Sequence, residues 1–295
     1  MHNTSPTKVL FVLPAVFAFT MVMVVPFFFG LYYSMTDWNG VSEAISFIGF
    51  VNFFKVFTEP SFLNSFLLTG AYTVINVVLV NVVGFILALV VTSNLRFRNF
   101  YRAGFFAPYL IGGIVLGYIW QFLFNNALPT LGKLAGIDLL QVSFLSRASD
   151  VIWAMSAVNV WQYAGYIMLI FIAAIQAVPA SLMEAATVDG AGYFKRMFGI
   201  LIPMMANAFT ISLFLTLTTS FKQYDMNFTL TNGGPASRFL DEPVKASQLL
   251  AMNIFDTARA NLMAEAQAKA VILFVALVIV SLVQVWISKR NEVEQ

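Results

Sequence analysis

Six long stretches of this chain contain no Asp, Glu, Lys or Arg, and this pattern restricts the possible folds more than any other feature. They run from Val9 to Tyr33, Leu67 to Val91, Ala103 to Phe124, Val151 to Ala177, Pro203 to Phe221 and Ala270 to Ile287. A bilayer core about 30 Å thick takes about 20 apolar residues of helix, and lipid offers no partner to an unpaired backbone group, so each stretch is read as a membrane span. The expected fold is all-α: one polytopic membrane domain of six transmembrane helices over residues 1–295. A composition that is 60% hydrophobic and 10% charged, with mean hydropathy +0.82, excludes a water-soluble globule. The first stretch could be taken for a signal peptide, but its apolar run is too long and no small-residue cleavage site follows. It is expected to stay as a span, bent by Pro14 and Pro26.

The distribution of Lys and Arg sets the expected orientation. With both termini in the cytoplasm, Lys8, Arg96, Arg98, Arg102, Lys195, Arg196, Lys289 and Arg290 fall close to span ends on that side. The cations on the opposite side are spread through a long loop, where they count for less. Arg96, Arg98 and Arg102, in the short link between spans two and three, give the clearest signal and read as headgroup anchors. A net charge of +2 gives no reason to expect nucleic acid or an acidic partner. Cysteine is absent and the single histidine is His2, so disulfides, thiolate chemistry and a His-built metal site are not expected.

An ion-driven carrier generally keeps titratable groups inside its spans, at about 2.5–3.5 kcal/mol for each central charge. None lies in these six stretches, which argues against a proton relay and points to energy supplied from outside the bilayer. The cytoplasmic segment from Pro179 to Pro203, PASLMEAATVDGAGYFKRMFGILIP, has the form of a force-receiving loop. Ser181 and Glu184 have capping-box spacing, which predicts a helix from Leu182. Gly190 with Gly192 predicts its stop. Ala185, Ala186 and Ala191 admit the close approach of another backbone, and Glu184 and Asp189 are placed to accept bonds from a partner's N–H or Arg groups.

Glu184, Ala185, Ala186, Gly190, Ile200 and Pro203 stand at the spacing of the E-A-A motif, and through it the chain resembles the permease subunits of binding-protein-dependent ABC importers. Ile202 stands where those usually have Leu. Asp189 and Ala191 extend the resemblance to the maltose-type, carbohydrate-uptake branch. So do TDWNG (Thr36 to Gly40), FVNF (Phe50 to Phe53), Asn64, LTNGGP (Leu230 to Pro235) and Gln284 with the charged tail from Lys289. LMAEAQAKA, Leu262 to Ala270, departs from the family pattern ahead of the last span. The resemblance implies the type I permease fold of ABC importers, in the cytoplasmic membrane of a prokaryote, moving a neutral carbohydrate of oligosaccharide size. It implies that Glu184, Ala185, Ala186, Asp189, Gly190 and Ala191 form a coupling helix on the ATPase. The implied partners are a second permease in a heterodimer, two ABC ATPase subunits, an extracellular solute-binding protein, membrane lipid and the carbohydrate. No cofactor is implied for this chain, since ATP and Mg belong to the ATPase; the chain has no G-x-x-x-x-G-K-[ST] run of its own and is not expected to be an enzyme.

A solute path is expected between spans four and five. Thr216, Ser220, Gln223 and Asn227 are spaced by four, three and four and so are expected on one helical face, and span four offers Asn159, Trp161, Tyr163 and Tyr166 at similar depth. Aromatic faces for sugar C–H groups, with hydroxyls and amides for sugar hydroxyls, suit a neutral polyol. Helix–helix hydrogen bonding is the other reading of the same residues. In maltose-type permeases the sugar contacts come from these two spans, and the positions matched through the E-A-A alignment are Asn159, Tyr163, Tyr166, Thr216, Ser220 and Gln223. The lack of Lys and Arg in the spans is read against a phosphorylated solute. Gly113 and Gly117 read as a packing face. The loop 222–269 is expected to turn at Gly233, Gly234 and Pro235 and to meet the binding protein. A secondary carrier or channel for a neutral polar solute is the alternative function; an intramembrane enzyme is set aside because the spans hold no Ser-His, paired-Asp or metal constellation.

Overall fold

The computed structural model describes residues 6–93 and 95–290; His2 and the side chain of Lys8 lie outside the described residues. The chain divides into two compact units, residues 1–59 with 253–275 and residues 60–252 with 276–295.

Helices α1 (Pro6–Phe19) and α2 (Val25–Tyr33) are joined by a π turn at Thr20–Val24 into an apolar stretch, Phe11–Tyr33, long enough to cross a membrane. The same device recurs at Leu123–Ala127, between α6 (Gly113–Phe122) and α7 (Leu128–Ala135), and at Met197–Leu201, between α10 (Tyr193–Arg196) and α11 (Ile202–Met204). Each π turn ends just ahead of a proline, Pro26, Pro129 or Pro203. A proline has no N–H for the carbonyl four residues back, and its ring collides with that carbonyl. Widening the preceding turn relieves both: the amide before each proline reaches back five residues, Val25 to Thr20, Leu128 to Leu123 and Ile202 to Met197.

Two expected spans are not straight. Helix α5 (Arg98–Phe106), extended by a 3-10 turn at Ala107–Leu110, meets the α6–α7 segment at 97°, and the Tyr193–Met204 segment meets α12 (Ala206–Phe221) at 70°. Extended backbone at Ile111 and Gly112 makes the first break. The expected stretches Ala103–Phe124 and Pro203–Phe221 are thus parts of bent pairs. Helices α4 (Pro60–Thr92), α8 (Val151–Ala177) and α15 (Met263–Lys289) are also long and apolar enough to span, giving four such helices among the described residues, or six if each bent pair is one crossing. The fourth expected span coincides with α8, whereas α15 starts at Met263 rather than Ala270 and so takes Glu265 and Lys269 into the helix.

The loop 222–269 is largely ordered into α13 (Asp225–Thr231), a hairpin of β1 (Ala236–Phe239) and β2 (Glu242–Lys245), and α14 (Leu250–Arg259). The hairpin is antiparallel, with Phe239 opposite Glu242, and it corrects the all-α expectation. Leu240 and Asp241, with φ of +50° and +63°, form the two-residue turn whose twist matches its strands. The expected corner before it is present: Gly233 has φ +83°, and the Gly234 amide donates to Thr231 O at 3.0 Å.

In the first unit, α3 (Val51–Thr58) carries Asn52, whose amide donates to Ser34 O at 2.9 Å and Thr36 O at 2.8 Å. Phe27 packs on Phe274 with centroids 5.0 Å apart. Lys269 is 1% exposed and donates to Asn253 Oδ1 at 2.9 Å, Thr257 Oγ1 at 2.9 Å and Glu59 Oε2 at 2.6 Å. Lys55 pairs with Glu265.

The second unit is built on α4, which packs along α8 and against α12. One apolar cluster centres on Tyr72, Leu116, Met155, Val158 and Met226, the other on Val80, Ile167, Phe171 and Met205. Gly117 packs on α13, where a Cβ would lie 2.8 Å from Met226 O and collide with Thr229, so this glycine serves helix packing as expected.

Candidate functional site

The segment after α8 is set up by Pro179, which precedes α9 (Ala180–Val188). The helix begins two residues before the expected Leu182. Ser181 therefore sits inside the first turn, and no side-chain cap closes the N-terminus, so the capping box is not formed. The C-terminus does end at Gly190, whose φ is +75°. The Gly190 amide donates to Thr187 O at 3.1 Å and the Ala191 amide to Ala186 O at 2.9 Å. This pair of bonds is a Schellman closure, which satisfies two carbonyls that the helix end would otherwise strand. Glu184, Ala185, Asp189 and Gly190 are exposed, Ala186 and Ala191 half-buried, and Val188 is 87% exposed. The hydroxyl of Thr187 bonds to Arg196, tying the helix to α10. The result is a short helix with a fixed end and an uncovered small-residue face.

The residues expected on the solute path separate into two groups. Asn159 is 3% exposed and donates to Asn76 Oδ1 at 2.8 Å, while Asn76 donates to Tyr72 O at 2.8 Å and Ser156 Oγ at 3.2 Å. Thr216 accepts from Asn81 Nδ2 at 2.8 Å and donates to Ser212 O at 2.6 Å. These contacts join α4 to α8 and to α12, the helix–helix bonding that was the other reading of such residues. Ser220 is buried, and its Oγ has no hydrogen-bond partner.

Tyr163 and Gln223 belong to the second group. They line a cavity of about 300 Å³ together with Gly113, Gln162, Thr219, Lys222, Tyr224 and Asp225. Tyr166 joins through Tyr109, which stacks on it at 4.5 Å and meets Tyr163 edge-on at 5.7 Å. Gln162 donates to Ile111 O at 2.9 Å, bracing the break in the bent segment. Trp161 packs edge-on against Trp120 at 5.5 Å. Asn227 does not continue the stripe of α12, because the helix ends at Phe221 and α13 starts at Asp225; its amide donates instead to Ser247 O at 2.9 Å. Lys222 stands on the cavity wall one residue past the end of the charge-free fifth stretch.

Sequence reasoning missed Gln162, Tyr109, Lys222, Tyr224 and Asp225. Gln162 lies beside Tyr163 in a run already rich in polar and aromatic residues, a signal that was available. Tyr109 depends on the bend, and Lys222 and Asp225 on the helix break after Phe221.

The bent and straight apolar helices, an exposed short helix between α8 and α12, and a polar cavity lined by both of these define a membrane permease. The chain belongs to the family of binding-protein-dependent transport system inner membrane components, whose model matches residues 80–293. It is a permease subunit of an ABC importer, with the ATPase in a separate subunit. It is 40% identical over 286 residues to a probable starch degradation products transport system permease protein of Thermoanaerobacterium thermosulfurigenes, covering 97% of this chain and 94% of the relative. It is 29% identical to a multiple sugar-binding transport system permease protein of Streptococcus mutans, covering 91% and 90% of the two chains. The fold resembles that in the crystal structure of a bacterial ABC transporter that imports the acidic polysaccharide alginate, with TM-score 0.81, 17% identity and coverage of 96% of this chain and 95% of the other.

Proposed function

We propose that this permease moves a neutral oligosaccharide, a short α-glucan, across the cytoplasmic membrane through six spans with both termini inside. The observation that carries this reading is the polar cavity to which α8 brings Tyr163 and α12 brings Thr219, with Gln223 just beyond it. Aromatic and amide groups held together in this way match a polyol that needs both a C–H platform and hydroxyl partners. The similarity to a permease for starch degradation products supports the α-glucan. Lys222 in the same wall is balanced by Asp225, which favours an uncharged solute over a phosphorylated one. Tyr163, Tyr166 and Gln223 act at the path, with Asn159, Thr216 and Ser220 behind them.

Coupling falls to Glu184, Ala185, Ala186, Asp189, Gly190 and Ala191 on α9, which docks on one of two ABC ATPase subunits that bind ATP and Mg. A second permease chain completes the path as a heterodimer, and the loop 222–269 meets an extracellular solute-binding protein. The test is reconstitution of the complete importer in liposomes, with ATP hydrolysis measured in the presence of maltotriose or of sn-glycerol 3-phosphate. Stimulation by maltotriose is expected. Stimulation by the phosphate ester alone refutes the neutral-sugar reading, and maltotriose flux through the purified chain without ATPase refutes the coupling.

A further inference from the structure

The break between α12 and α13 places two ionised side chains, Lys222 and Asp225, on the wall of one cavity of about 300 Å³. Both residues are exposed, and among the described residues neither side chain makes a hydrogen bond or ion pair. Gly113 lets α6 pack closely on the start of α13 beside this cavity, because a Cβ there would lie 3.1 Å from Asp225 Cβ and 3.3 Å from the Met226 amide nitrogen. The volume is at the small end of ligand sites, suited to one glycosyl unit rather than a whole oligosaccharide.

We infer that Asp225 and Lys222 form a sugar-ring subsite of this path, in which the Asp225 carboxylate accepts from a sugar hydroxyl and the Lys222 ammonium donates to a neighbouring oxygen. The inference rests on the carbohydrate reading above and extends it to two residues outside the positions matched by family resemblance. A carboxylate accepts from a hydroxyl more strongly than a neutral amide does. The paired charges sum to zero, so the subsite penalises an anionic unit at Asp225 and a cationic one at Lys222. A neutral unit with a free hydroxyl meets neither penalty.

The experiment uses the complete importer and a series of maltotriose analogues, each lacking one hydroxyl, with sugar-stimulated ATP hydrolysis as the readout. For the wild type, one analogue is expected to lose about tenfold or more in kcat/KM, the size of one charge-assisted hydrogen bond. Asp225→Asn is expected to lose a similar factor on maltotriose and to be nearly indifferent to that same deoxygenation. Independent, multiplicative losses overturn the subsite while leaving the carbohydrate reading intact. A wild type that no glycan stimulates refutes that reading and the subsite with it. As a second measurement, Lys222→Cys introduces the chain's one thiol into a sequence with no cysteine. Its modification by a methanethiosulfonate reagent is expected to slow at least about fivefold with maltotriose and binding protein present, by exclusion from an occupied cavity. An unchanged rate overturns the subsite.

Discussion

Gly190 isolates backbone strain from packing at the end of α9. Its φ of +75° is a conformation that costs an L-residue about 1–2 kcal/mol. Among the described residues of this chain, no atom beyond its immediate neighbours lies within 4 Å of the position its Cβ would take, so a substitution meets no clash within the chain. Gly190→Ala is expected to cost the C-terminal turn of α9 about 1 kcal/mol, and Gly190→Val about 2, because a β-branched residue is least tolerant of this region. Gly190→Asn falls between Gly and Ala, since Asn tolerates the left-handed region. A cost of one to two kcal/mol shifts the open fraction of this turn by about 5–30-fold. Hydrogen exchange at the amides of Gly190 and Ala191, which bond Thr187 O and Ala186 O, reads that opening directly. Solute-stimulated ATP hydrolysis by the assembled importer is expected to fall in the same order, Gly, Asn, Ala, Val. Equal exchange in the Val and Gly proteins refutes the strain argument. Accelerated exchange without loss of stimulation refutes the role of the fixed helix end in coupling.

Four further substitutions test other parts of the molecule. Lys269→Met removes donors to Asn253, Thr257 and Glu59; the Glu59 side chain is 33% exposed and rehydrates, so the expected cost is about 2–3 kcal/mol, below that of breaking a fully buried pair. A fall of about 4–8 °C in the unfolding midpoint of the detergent-solubilised protein checks it, and an unchanged midpoint contradicts it. Asn159→Ala removes one interhelical bond and is expected to cost about 0.6 kcal/mol, whereas Asn76→Ala removes the centre of the network and costs about twice that; equal midpoints for the two variants contradict the assignment. Val188→Cys, at a side chain 87% exposed in a cysteine-free chain, is expected to react with a membrane-impermeant maleimide only in inside-out vesicles. Labelling in right-side-out vesicles places α9 on the wrong side for an ATPase.

The apolar stretches were legible because lipid enforces one solution for the backbone, and α8 ends where its composition changes. Their bends were not. The 97° break follows from extended backbone at Ile111 and Gly112, held by the Gln162 amide on Ile111 O, a bond between residues far apart in sequence. The π turns before Pro26, Pro129 and Pro203 accommodate their prolines within one turn, a local outcome that proline alone does not announce. At the end of α9 the stop was legible because glycine takes the left-handed conformation most cheaply. The start was not, because Ser181 and Glu184 satisfy the capping pattern while Pro179 already directs the chain into the helix. Side-chain polarity marked α8 and α12, two helices that line the polar cavity. It did not separate Asn159 and Thr216, which find partners on α4, from Tyr163 and Gln223, which face a cavity.

The charge-free criterion that located the last span also hid its charges. A window chosen to exclude Asp, Glu, Lys and Arg has to begin at Ala270, although helical backbone extends back to Met263. A buried charge is costly only while it lacks partners, and Lys269 brings them with it in Glu59, Asn253 and Thr257. An ammonium has three donors and no acceptor, and here all three reach an oxygen within 2.9 Å. A group bonded on every donor is positioned to hold α14, α15 and the end of α3 together. The reach of α15 past its apolar core thus adds a structural clamp to the first unit.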